Sequence, residues 1–237
     1  MPSLPAPLAA RAERWFGRPA TVLAVEDLSP GLVRVSFSGD AWRGRDWVRG
    51  QEVEFRVAGR DFRHYTPAEV DPVAGRFDVV FVRHTEGPGT AWVAGLAPGQ
   101  EVGAMGPGGG IRREPDRREL FLGDATTLGL FAALVPTAGD ARGAVEVAAE
   151  DLGAAARLAP TLDIVVAGRE PGAALATWLD AHLYAVRTGD EAPPERACLA
   201  GHTGTITALR RRVRVEFGLA RSAVSAKAHW ADGRRGL

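Results

Sequence analysis

The chain reads as two folds in series, an N-terminal antiparallel β-barrel followed by a C-terminal α/β domain with a parallel sheet. Three observations predict this. From Ala20 to Met105, short runs alternate apolar with polar residues, the two-residue period of strands with one buried face. After Arg117, short apolar strands alternate with helical stretches, which implies a parallel sheet flanked by helices. Between them lies Arg112-Arg113-Glu114-Pro115-Asp116, a charged, proline-containing connection. The expected domains are therefore 1–115 and 116–237.

In the first half, Thr21–Glu26, Leu32–Phe37 and Glu52–Val57 alternate most clearly, and Ser29-Pro30-Gly31, Gly39-Asp40 and Ala58-Gly59 are the turns that separate them. Phe77–Val82 and Glu101–Met105 complete at least five strands, and frequent turns between short strands suit a small barrel. The candidate helices here are Pro7–Phe16 and a turn near Thr90–Ala94. In the second half, strands are expected at Glu119–Gly123, Val145–Ala148, Asp163–Ala167, Ala197–Gly201 and Val224–Trp230. Helices are expected at Thr126–Val135, Ala173–Val186 and Thr203–Glu216.

Composition narrows the function classes. At 237 residues, with 46% hydrophobic and 24% charged residues, the chain has ordinary globular proportions. Lys+Arg and Asp+Glu are both 29, so no global field recruits nucleic acid or an anionic membrane. Cys198 is the only cysteine, which excludes an intrachain disulfide, a zinc cluster and a cysteine-ligated iron–sulfur centre. No run of about 18 apolar residues occurs, so no spanning helix is expected. Residues 1–12 lack the basic leader and apolar run of a secretory signal, and the cytoplasm is the expected compartment.

The chemistry concentrates in Arg63-His64-Tyr65-Thr66, then Asp78 to His84, then Gly87-Pro88-Gly89-Thr90-Ala91-Trp92. An arginine, an aromatic ring and a hydroxyl end one strand, and a glycine-rich turn runs into a helical start. That combination suits a flavin dinucleotide. Arg63 can clamp phosphate, Tyr65 can cover the isoalloxazine, and Thr66 can hydrogen-bond near its reactive nitrogen. Gly89 and Thr90 would set bare backbone N–H groups against the pyrophosphate.

These residues resemble the siderophore-interacting proteins, FAD-binding ferric-siderophore reductases related to ferredoxin–NADP reductases. The family signature is Arg-x-Tyr-Thr/Ser, then Asp-x-x-x-Val-x-His, then Gly-Pro-Ala-x-x-Trp, and the resemblance runs from about Pro19 to the C-terminus. The resemblance implies FAD held by Arg63, Tyr65, Thr66, Val82, His84, Gly89, Thr90 and Trp92. Gly89 stands where the signature has alanine, and Pro67-Ala68 replaces a further arginine. Trp92 is also open to a plainer reading as the core anchor of its short helix. Gly106 to Gly110 is either a linker or a tight turn beneath the flavin.

In the second half, Gly123-Asp124-Ala125-Thr126-Thr127 resembles the family's Gly-Asp-Glu-Thr-Ala segment. Gly123, Asp124, Thr126 and Thr127 would there complete the flavin pocket, and Asp124 and Thr126 also suit a helix cap. Gly201-His202 follows a strand where ligands of open α/β sheets bind, with His202 in place of the family's glutamate. His202 is read either as a helix-cap histidine or as a phosphate ligand. Trp230 lies in a variant of the family's terminal Tyr-Trp-x-x-Gly, with His229 for tyrosine, and either stacks near the cofactor or docks the C-terminus. Lys227, Arg45, Arg49 and Arg63 are candidates for a basic floor under an anionic ferric chelate.

The resemblance implies an FAD-dependent reductase that draws electrons from NADPH or NADH, or from ferredoxin, and reduces a ferric siderophore. The enzyme would be a monomer, with no catalytic acid or base, no resident metal and no nucleic-acid partner. Two alternatives stay open: a flavin reductase with another acceptor or a protein partner, and a non-catalytic siderophore- or flavin-binding protein.

Overall fold

The computed structural model describes residues 17–59, 61–83, 87–114, 116–135 and 141–234. The helix expected at Pro7–Phe16 and the site candidate His84 lie outside these. Contacts divide the described residues into two compact units, one up to Arg112 and the other built mainly from Arg113 onward.

The first unit is built of strands β1 (Arg18–Ser29), β2 (Leu32–Ser38), β3 (Glu52–Ala58), β4 (Asp61–Tyr65), β5 (Glu69–Asp71), β6 (Arg76–Val82) and β7 (Glu101–Gly108), with helix α1 (Pro88–Ala94) before β7. All pairings are antiparallel, in the order β4-β3-β7-β1-β2-β6-β5. The sheet curls into a half-barrel with β4 and β5 as its edges.

Alternation explains the curl. Val33, Val35 and Phe37 on β2, Val53, Phe55 and Val57 on β3, and Phe77, Val79 and Phe81 on β6 all point inward and are buried. Phe37 lies between Phe55, at 5.1 Å between ring centroids, and Phe77, at 5.2 Å. Each such ring contributes roughly 1.5–3 kcal/mol by leaving water. Trp42 is fully buried, and its indole donates to the Pro19 carbonyl at 3.0 Å.

The glycine stretch after Met105 is neither a free linker nor wholly a turn. Gly106, Pro107 and Gly108 continue β7 alongside β3, with Gly108 opposite Glu52. Gly106 has φ +122°, and a Cβ there would stand 2.7 Å from the Glu52 carbonyl oxygen. The close approach is thus to the neighbouring strand.

The second unit contains β8 (Glu119–Asp124), β9 (Arg142–Val147), β10 (Asp163–Val166), β11 (Arg196–His202) and β12 (Val224–Trp230). Between them run α2 (Leu128–Leu134), α3 (Leu152–Leu158), α4 (Ala173–Thr188) and α5 (Thr203–Glu216). The five strands form one parallel sheet in the order β10-β9-β8-β11-β12. Leu120, Leu122 and Leu199 of the sheet pack with Leu175, Leu179 and Leu183 of α4 and with Ile206, Leu209 and Val213 of α5. The strand order reverses between β8 and β11, the position where ligands bind at the carboxyl ends of such sheets.

The helix expected at Thr126–Val135 starts later. Ala125–Thr127 form a 3₁₀ turn and α2 begins at Leu128, because the Thr127 hydroxyl donates to the Asp124 carbonyl at 2.7 Å. Serine and threonine side chains that bond nearby backbone compete with regular helix in this way.

Candidate functional site

On the half-barrel, Arg63 and Tyr65 share one face of the edge strand β4, two residues apart. The Tyr65 ring meets Phe81 edge-on at 4.6 Å and Phe55 at 6.1 Å. Burial pushes its phenol up to about 12, against a smaller opposing pull from the Arg63 guanidinium. Arg63 also donates from Nη1 to the Phe62 carbonyl at 2.7 Å. Thr66 is half-buried and begins the three-residue passage from β4 to β5.

Helix α1 closes on the same place. A Cβ at Gly89 would stand 2.8 Å from the Tyr65 hydroxyl and 4.0 Å from Arg63 Cγ. Gly89 therefore leaves bare backbone beside the phenol and the guanidinium stem. No side chain caps α1, and its N-cap is the extended Gly87. Thr90 is half-buried in its first turn. Trp92 packs at 5.0 Å from Phe55 and 6.0 Å from Phe81, so its anchoring of α1 to the core is visible in the geometry. Val82 ends β6 opposite Leu32. Sequence candidates Arg63, Tyr65, Gly89 and Trp92 thus converge on one aromatic cluster.

In the second unit the reversal point is organised by Asp124, the last residue of β8. Its Oδ1 accepts from the Thr126 backbone N–H at 2.9 Å and from the Thr126 hydroxyl. Its Oδ2 accepts from the His202 backbone N–H at 2.8 Å and from the Trp230 indole at 2.8 Å. Four donors on one carboxylate tie together the carboxyl ends of β8, β11 and β12. Gly201 makes this possible: it has φ +116°, and a Cβ there would stand 2.4 Å from Asp124 Oδ2. Gly123 is similarly confined, since a Cβ would stand 2.6 Å from the Thr127 side chain.

The neighbouring histidines are engaged as well. His202 Nε2 lies 3.3 Å from Asp232, Nδ1 lies 3.2 Å from the Thr205 hydroxyl, and the ring packs 4.5 Å from Trp230. His229 Nδ1 lies 3.0 Å from the Thr126 hydroxyl. That hydroxyl gives its one hydrogen to Asp124, so His229 must present an N–H at Nδ1. Thr127 is fully buried and its hydroxyl closes the turn. Gly201, His202, Asp124, Thr126 and Trp230 are thus brought together, and Lys227 sits on β12 in the same unit.

Sequence reading missed Glu146, on β9. Its buried carboxylate accepts from the backbone N–H groups of Gly172 at 2.8 Å, Ala174 at 3.0 Å and Leu175 at 3.4 Å. The N-terminus of α4 is thereby occupied by the chain's own anion. A lone glutamate in the apolar strand Ala144–Val147 was the available signal. Among the described residues no group of three or more His, Cys, Asp or Glu side chains could hold a metal ion, and no helix is long and apolar enough to cross a membrane.

A curled antiparallel sheet followed by a five-stranded parallel α/β unit is also the fold of solved structures on which this chain superposes. Residues 51–111, from the start of β3 to just beyond β7, match the family described as the siderophore-interacting FAD-binding domain. Among solved structures, the siderophore-interacting protein SipS from Aeromonas hydrophila superposes with a TM-score of 0.74 at 20% identity, covering 92% of this chain and 93% of its own. The ferredoxin reductase in carbazole 1,9a-dioxygenase superposes with a TM-score of 0.70 at 20% identity, covering 90% of this chain and 69% of its own.

A curated relative is the mycobactin import ATP-binding/permease protein IrtA of Mycolicibacterium thermoresistibile, 27% identical over an alignment 250 positions long that takes in 91% of this chain. The chain spans about a quarter of the length of the curated relatives it matches, 25% in that case.

Proposed function

We propose that this chain is an FAD-dependent oxidoreductase that reduces ferric siderophores, with a nicotinamide dinucleotide as electron source. One observation carries the reading. The stretch assigned to a siderophore-interacting FAD-binding domain contains Arg63, Tyr65 and Gly89 gathered at one edge of the half-barrel. The residues fit the cofactor: an arginine for phosphate, bare backbone at Gly89, and a half-buried phenol whose neutral form donates rather than repels.

When bound, FAD supplies the exchange between two-electron and one-electron chemistry that iron reduction requires. The chain's own contribution is binding and orientation. Arg63 and the first turn of α1, with Thr90, would hold phosphate. Tyr65 and Thr66 would lie against the ring system, with Val82 and His84 beside it. Asp124, with Gly123, Thr126 and Thr127, would present the end of β8, and Gly201, His202 and Trp230 would frame a dinucleotide at the strand reversal. Each Fe(III) takes one electron, and the hard oxygen donors of a siderophore hold Fe(II) less well than Fe(III). We place the reaction in the cytoplasm, carried out by a monomer.

A second reading replaces the nicotinamide dinucleotide with a protein donor such as ferredoxin. It is favoured by the filled state of the strand reversal, where Asp124 accepts four hydrogen bonds and His202 is paired with Asp232.

The test couples cofactor loading to iron release. The wild-type protein, loaded with FAD, is expected to produce chelator-trapped Fe(II) from a ferric siderophore under NADH, NADPH or reduced ferredoxin. Arg63→Ala should lose most of its FAD and the iron reduction with it. An Arg63→Ala protein that keeps full FAD occupancy would remove Arg63 from the site.

A further inference from the structure

In the half-barrel, two arginines from different elements converge on Trp42 with no acid between them. Arg18 opens β1 and donates from Nη1 to the Gly106 carbonyl at 2.8 Å. Its guanidinium carbon stands 6.0 Å from the centre of the Trp42 ring. Arg45 follows the 3₁₀ turn Asp40–Trp42 and donates from Nε to the Ala41 carbonyl at 3.2 Å. The fully buried Trp42 fastens the two segments together, because its indole donates to the carbonyl of Pro19, the residue after Arg18.

Among the described residues neither guanidinium has an acidic partner, and the acceptors they meet are neutral carbonyls. Other arginines of this unit are paired: Arg34 with Glu26, Arg43 with Asp40 and Arg83 with Asp27. Asp46, beside Arg45 in sequence, is exposed and makes no ion pair with either arginine among the described residues. Arg18 and Arg45 are both half-buried. Burial holds the Arg18 guanidinium below its ordinary value, and the Arg45 charge pushes the same way.

We propose that Arg18 and Arg45 form a phosphate site, taking a phosphate dianion either free or as the monoester of a nucleotide. Two like charges held together against neutral acceptors repel, and an anion between them turns that repulsion into attraction. Each guanidinium carries further N–H donors beyond the one it gives to its carbonyl. Planar guanidinium forks bond phosphate oxygens in pairs, and two unit positive charges match a dianion. The carbonyl tethers hold both side chains in place before binding, so less rotamer freedom is lost when the anion arrives.

This place is separate from Arg63. In register, Arg18 lies opposite Ala104 of β7, Ala104 opposite Phe55 of β3, and Phe55 opposite Arg63 of β4. Three strand spacings of about 4.8 Å each therefore lie between the two arginines along the sheet. The site stands on Arg18, Arg45 and Trp42 alone and does not depend on the flavin reading.

The test is a titration of the full chain at about pH 8, where phosphate is mainly the dianion. Inorganic phosphate and adenosine 5′-monophosphate are added in turn, against sodium chloride of equal ionic strength. Calorimetry gives the affinity, and backbone amide spectra locate the binding. Saturable binding is expected, with shifts at Arg18 and residues 41–47 that chloride does not produce. Arg18→Gln and Arg45→Gln should each weaken binding on the order of tenfold. Arg43→Gln, which removes an arginine already paired with Asp40, should leave it unchanged. Tighter binding of adenosine 5′-monophosphate assigns the site to a nucleotide monoester, and equal or weaker binding assigns it to free phosphate. The wild-type spectra decide the matter if a variant fails to fold. Binding of neither probe, shifts confined to other residues, or a loss in Arg43→Gln as large as in Arg45→Gln would overturn the site.

Discussion

The Trp230 indole donates to Oδ2 of Asp124 at 2.8 Å, joining residues 106 apart in sequence. The same carboxylate holds the start of α5 through His202 and its own turn through Thr126. The carboxyl edge of the parallel sheet therefore has one electrostatic keystone, and the terminal strand is fastened to the first strand by it.

Removing that keystone leaves several donors without an acceptor. Asp124→Ala should destabilise the second unit by about 2 kcal/mol or more, because unpaired donors cost more than the bonds themselves contribute. Denaturant unfolding followed by indole fluorescence reads this directly. An Asp124→Ala protein as stable as the wild type would show that the four contacts contribute nothing.

Gly89→Ala probes the half-barrel. Its backbone is not in the left-handed region, so fold stability should change by less than about 0.5 kcal/mol. The new methyl, 2.8 Å from the Tyr65 hydroxyl, should displace the ring and weaken FAD binding on the order of tenfold, about 1.4 kcal/mol. Flavin fluorescence on titration measures the loading, and a Gly89→Ala protein that binds FAD as tightly as the wild type would remove α1 from the site.

Tyr65 should ionise late. The chain has two tyrosines, and the Tyr65 phenol is raised by burial from 10.0 to about 12. A value raised in the folded state stabilises the fold below about pH 10, and that contribution is lost as pH climbs towards 12. An alkaline absorbance titration of the native protein should show one phenolate appearing only near pH 12, and Tyr65→Phe should abolish that step.

Glu146→Gln should cost about 2 kcal/mol. The amide turns a donor towards backbone N–H groups that the carboxylate now satisfies at the start of α4. Thermal unfolding gives the number, with the loss also expected in α4 amide protection.

Much of the architecture was legible because local signals agreed. The final strand Val224–Trp230 and helix Thr203–Glu216 begin and end where alternation and helical periodicity say they should. Helix α3 went unread because Leu152–Leu158 lies in an Ala- and Gly-rich stretch with little contrast between faces. The three-residue strand β5 is too short to show a period, and β7 runs on through a glycine-rich segment that reads as a turn.

The site divides in the same way. Arg63, Tyr65 and Gly89 were legible because their spacing within one strand and one turn carries the chemistry. The Asp124 cap on Thr126 was legible too, but its bonds to His202 and Trp230 were not, because those residues come from strands that only the folded sheet brings together. Thr127, which the sequence places in the flavin pocket, is instead fully buried, its hydroxyl bonded to the Asp124 carbonyl.

The measurement that bears most directly on the central claim is an anaerobic absorbance titration of the FAD-loaded protein with NADH and NADPH in turn, then with a ferric siderophore. The account predicts bleaching of the flavin band by one of the dinucleotides and its recovery when the ferric siderophore is added. Bound flavin that neither dinucleotide bleaches, or that stays bleached in the presence of ferric siderophore, would contradict it.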